Sequence, residues 1–159
     1  MKRALKKLVV HVCTPDELDM IEHYSTRSER LADLLVHAVG LGFAALGGVI
    51  LAVLAMHYVG VGPAIATAIY AVCLVAMLSA STIYNLAKPC AARPVLRRMD
   101  EAAIFLMIAG SYTPFTTQRF EGAWAVGFTL LVWTLAFAGV GTKLLAPRIS
   151  DAFWSGVYV

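Results

Sequence analysis

The chain has 159 residues, 60% of them hydrophobic and only 14% charged, with a formal net charge of +3 and a mean hydropathy of +0.75. Water-soluble domains carry about 25% charged residues, so the composition excludes a soluble enzyme or nucleic-acid-binding module and indicates an integral membrane protein. The cysteines Cys13, Cys73 and Cys90 are odd in number, form no CxxC or other metal spacing, and read as free, packed thiols.

Residues 1–28 form a basic preface. Its apolar run Leu8 to Cys13 is too short for a secretory signal, so the mature chain is expected to keep this segment. Thr14-Pro15-Asp16-Glu17 has the form of a capping box with proline at the first helical position, predicting a short amphipathic helix to about His23. The membrane domain is expected over residues 29–159. Its first span, about 34–56, has no charge and one histidine, His37, and is long enough for a hydrocarbon layer of roughly 30 Å. Glycines in it, such as Gly40, Gly47 and Gly48, would weaken a soluble helix, but in lipid they let helices approach closely. Gly60 to Pro63 marks a turn, and the second span, about 63–86, ends in a polar sequence containing Ser79, Ser81, Thr82 and Asn85.

A basic loop, Lys88 to Arg98, leads into the third span, about 99–117. Asp100 and Glu101 stand at its threshold, where the helix dipole and the neighbouring arginines would favour negative charge. Gly110 to Pro114 reads as a helix break with a structural kink. The fourth span covers about 123–145, and residues 150–159 begin a fifth, aromatic run too short to cross. With the N-terminus in the cytoplasm, Arg119 is the one outside cation among the 13 Lys and Arg, leaving 13 − 1 = 12 inside. That asymmetry predicts the orientation and supports the span count.

In this topology Glu29, Asp33 and His37 fall at i, i+4 and i+8 on one face of the first helix, and Ser81 and Asn85 at i and i+4 on the second. Together with Asp100 they bring polar groups from three helices to one membrane depth. Each also has a structural explanation: Glu29 as a solvated acid, Ser81 and Asn85 as interhelical hydrogen-bonding groups, His37 as a neutral histidine bonded to a neighbour. Ionisable groups within spans nevertheless tend to face water or protein and to be functional. No HxxxH pair occurs, so the residues themselves do not make a zinc site.

Three blocks carry a family likeness: ERLADLLVHAVG at 29–40, SASTIYNLAKP at 79–89 and RRMDEAAIFLMIAGSYTPF at 97–115. Together they resemble the hemolysin III branch of the progestin and adipoQ receptor superfamily. The resemblance implies an all-α, polytopic helical membrane protein, of which this chain holds the first four helices and the start of a fifth from a seven-helix bundle. It also implies a first motif at Glu29, Asp33 and His37, with Asp in place of the family's Asn, and a second at Ser81, Asn85 and Asp100, with Asn in place of its His. In zinc-bearing relatives that His and two late histidines hold the metal. Asn85 therefore points to a metal-free branch, with neither cofactor nor metal expected.

The expected function is that of a channel-forming or cytolytic protein without a demonstrable catalytic site, located in the cell membrane. The competing readings are a membrane-embedded hydrolase of lipid amides and a small transporter or scaffold. The expected partners are the lipid bilayer and other copies of the chain in a homo-oligomer, with no nucleic acid.

Overall fold

A computed structural model describes Tyr24 and residues 26–88 and 92–145. These residues fold into four helices: α1 (Arg27–Tyr58), α2 (Val61–Leu86), α3 (Arg93–Arg119) and α4 (Gly122–Leu145). The protein is an all-α membrane protein. The capping box at 14–17, Cys13, Cys90 and the aromatic run at 150–159 lie outside the described residues.

Local chemistry sets the helix ends. Thr26 is the N-cap of α1, its hydroxyl accepting the Glu29 backbone N–H at 3.2 Å. At the other end the N–H groups of Val59 and Gly60 both reach the Ala55 carbonyl, and Gly60 has φ 122°, a conformation open to glycine. With 32 residues, α1 is about 48 Å long, so its first turns project past a hydrocarbon layer of about 30 Å unless the helix tilts. The third helix starts earlier than expected, at Arg93, with Pro94 in its first turn. Asp100 and Glu101 therefore sit two turns inside it, and the helix-dipole explanation for their position does not hold.

Nor does α3 break at Pro114. It continues to Arg119, although proline cannot donate a backbone hydrogen bond. Hydroxyls hold the polar groups of this stretch: Thr113 donates to the Ala109 carbonyl, Thr117 to the Thr113 carbonyl, and Trp133 of α4 donates to the Thr113 hydroxyl at 3.0 Å. Side-chain hydroxyls and a neighbouring helix commonly support proline inside membrane helices in this way.

Each helix packs on its chain neighbours, α1 on α2, α2 on α3 and α3 on α4. The row is open, with α1 and α4 at its edges. Because lipid solvates apolar side chains, close backbone approach matters more here than hydrophobic burial. One glycine marks each interface. A Cβ on Gly48 would lie 2.5 Å from that of Ala71, one on Gly110 2.6 Å from that of Cys73, and one on Gly139 2.5 Å from the Phe105 ring. Phe105 also forms a small core with Ala109 and Ala136, flanked by Val132, Trp133 and Val140.

Three helices, α1, α2 and α4, are long and apolar enough to cross a membrane. The carboxylates and the polar Gly110–Pro114 stretch make α3 less apolar, although its 27 residues suffice in length. It also has the most buried residues, among them Ala102, Ala103, Ala109, Thr113 and Thr116. Helix α3 is thus the most buried member of the row, packed between α2 and α4, while Val95, Met99, Tyr112 and Phe115 face outward.

Candidate functional site

Alternation of direction brings the start of α1, the end of α2, the start of α3 and the end of α4 to one side. Contacts of His37 with Asn85, Arg93 with Ala87 and Lys143 with Glu101 join these ends in turn. Among the described residues, Arg27, Arg30, Lys88, Arg93, Arg97, Arg98 and Lys143 lie on this side and Arg119 alone on the other.

A run of polar groups from three helices gathers here. His37 Nδ1 donates to the Asp33 backbone carbonyl at 2.9 Å and lies 3.4 Å from the Asp33 carboxylate. A carbonyl only accepts, so Nδ1 carries the hydrogen, and Nε2 faces α2. There the Asn85 amide nitrogen stands 3.5 Å from Nε2, a long contact, and donates to the Ser81 hydroxyl at 3.2 Å. On α3, Asp100 lies within the influence of the Ser81 hydroxyl and of Glu101 and His37. The His37 side chain is only 13% exposed, so this chain runs between the helices.

Two predicted acids take other positions. Glu29 is exposed on the first turn of α1. Glu101 turns to α4, where the Lys143 ammonium meets its carboxylate at 2.6 Å. Lys143 could have been singled out in the sequence as an ionisable group at the end of an apolar span.

Tyr24 was missed altogether, since nothing in its local spacing links it to the site. Its hydroxyl donates to the Asp33 carboxylate. Burial, this hydrogen bond and the Asp33 charge push its pKa up to about 12, against the opposing effect of Arg30 and Arg93. Because the folded value exceeds the reference of 10.0, the stabilisation is intact below pH 10 and is lost as the pH climbs through 12. A spectrophotometric titration should show one of the six tyrosines ionising near pH 12, and Asp33→Asn should move that step downward. An unchanged titration curve in the variant would remove Asp33 as a cause.

The zinc implied by the family resemblance does not fit these residues. Asn85 is a poor zinc ligand, His37 is the one histidine in the cluster, and among the described residues no three His, Cys, Asp or Glu side chains converge on a point. The arrangement can instead hold polar contacts among an imidazole, an amide, a hydroxyl and the Asp33 carboxylate, with the Asp100 carboxylate beside them.

The model of the haemolysin-III related family matches residues 26–154. The chain belongs to that family. It is similar to the Hemolysin-3 homolog of Bacillus subtilis (strain 168), with 30% identity over 121 residues, covering 75% of this chain and 56% of the relative. It is also similar to the Hemolysin-3 of Bacillus cereus, with 29% identity over 122 residues, covering 76% of this chain and 55% of the relative. The matched region thus spans about half the length of these hemolysin III relatives. No solved structure matches the chain significantly.

Proposed function

We propose that this hemolysin III family protein permeabilises membranes, as a channel-forming or cytolytic protein. It would reside in the cell membrane with its basic side in the cytoplasm, and α3 would form a fourth span. The observation that carries the reading is the polar run Asp33–His37–Asn85–Ser81, with Asp100 beside it, held between helices at one end of the row. Ionisable groups held within spans tend to mark pathways for ions, protons or substrates. The names of the two relatives, Hemolysin-3 homolog and Hemolysin-3, agree with this reading. Among the described residues the four helices form an open row that encloses no pore, so the reading requires further helices, which copies of the same chain can supply.

The excess of basic residues on the polar-cluster side supports the orientation. Dye release from liposomes tests the function. Protein reconstituted at increasing density should release carboxyfluorescein with a steep concentration dependence, and His37→Ala should slow that release several-fold. If the unmodified protein leaves the vesicles sealed, the proposal fails.

A further inference from the structure

The contact between His37 and Asn85 joins two helices through side chains whose hydrogen-bonding roles can reverse. Nδ1 is committed on its own helix, where it donates to the Asp33 carbonyl at 2.9 Å. Nε2 is then the ring nitrogen left to face α2, and the Asn85 amide nitrogen stands 3.5 Å from it. An amide nitrogen only donates, so this arrangement suits a neutral ring whose Nε2 accepts. The same amide nitrogen donates to the Ser81 hydroxyl at 3.2 Å. A proton taken up from water at Nε2 turns that atom into a donor too, and two donors then face each other. Water has access, since the His37 side chain is 13% and the Asp33 side chain 30% exposed.

Asn85 can resolve that conflict without any movement of the backbone. Half a turn about its Cβ–Cγ bond puts the carbonyl oxygen where the nitrogen was, placed to accept from the Nε2 hydrogen. Ser81 can follow, because a hydroxyl that accepted from the nitrogen can donate to the oxygen instead. A long contact between uncharged groups is thereby replaced by a charge-assisted hydrogen bond, which is shorter and about twice as strong. The groups around the ring suit a cation. On α1 the Asp33 carboxylate lies 3.4 Å from Nδ1 and accepts the Tyr24 hydroxyl, α2 presents the uncharged Asn85 and Ser81, and from α3 the acid whose field reaches the ring is Asp100.

We propose that the Asn85 side chain is a two-position switch set by the protonation of His37, donating to the neutral ring and accepting from the protonated one, so that acid tightens the join between α1 and α2. The inference concerns the polar run but does not rest on permeabilisation, and vesicles that stay sealed would leave it standing. Asn85 is the one asparagine of the chain, so isotope-labelled asparagine gives a single side-chain amide to follow by NMR of the full chain in detergent. In the unmodified protein its signals should shift over the same pH step as the His37 imidazole, which is assigned among the four histidines by its absence from the His37→Phe spectrum. In His37→Phe the amide should lose that response. A double-mutant cycle of His37→Phe with Asn85→Leu, read by unfolding in mixed detergents, checks the tightening. The coupling between the two residues, expressed in the unfolding equilibrium constant, should be roughly fivefold larger on the acid side of the step than on the alkaline side. An Asn85 signal that ignores the His37 step, a response that persists in His37→Phe, or a coupling no larger in acid overturns the proposal.

Discussion

Gly48→Leu should separate α1 from α2 and lower stability by about 3 kcal/mol, the upper end of the usual range for overpacking. The reason is geometric. Even a methyl group at residue 48 would sit 2.5 Å from the Ala71 Cβ, an atom attached to backbone that no rotamer change can move away. The two helices must therefore shift as bodies. Gly110→Leu should act likewise between α2 and α3, because its Cβ would meet Cys73 at 2.6 Å for Cβ and 2.8 Å for Sγ. Cys73 supplies the readout. Its buried thiol should be nearly inert in the unmodified protein and should react with a maleimide in Gly110→Leu, as followed by peptide mapping. For the first interface, Gly48→Ala should be destabilised and the added Ala71→Gly should restore most of the loss, since the pair then exchanges which helix bears the methyl group. Additive losses in that double variant would show that the close contact does not set the packing.

The second large effect is expected at the ion pair between α3 and α4. Lys143→Met should cost about 3 kcal/mol, because it leaves the Glu101 carboxylate partly buried without the ammonium at 2.6 Å. Lys143 is 8% and Glu101 28% exposed, so the loss belongs near the lower end of the range for buried pairs. Replacing both, as Glu101→Gln/Lys143→Met, should recover much of it, since apolar or neutral replacement removes the desolvation of both charges. Thermal unfolding in detergent distinguishes the cases. A double variant no more stable than Lys143→Met would indicate that the pair's other contacts, rather than its charges, hold α4 in place.

Sequence pattern revealed α1, α2 and α4 because each contains a long uncharged run, and such a run has few other uses at this composition. The boundaries of α3 were less legible. Four basic residues before Met99 looked like a loop, while Pro94, a residue favoured in the first helical turn, was the signal that α3 begins at Arg93. Pro114 misled in the opposite direction: its local chemistry argues for a break, but Thr113 and Trp133, the latter from another helix, support the polar groups around it.

The site divides in the same manner. Spacing along one helix placed Asp33 with His37 and Ser81 with Asn85, because i and i+4 share a face whatever the tertiary fold. The relation of Asp33 to Tyr24 and of Glu101 to Lys143 is set by chain reversal and helix packing. Separations of 9 and 42 residues carry no periodic signature.

The open row also bears on biosynthesis. Every strong interface joins a helix to the one made just before it, so no later helix has to be threaded between two that are already docked. The Gly48–Ala71 contact can close while α3 is still being translated, and each following helix finds its docking face waiting. Assembly can thus follow the order of synthesis, with short loops and near-neighbour contacts keeping the entropic cost of each step small.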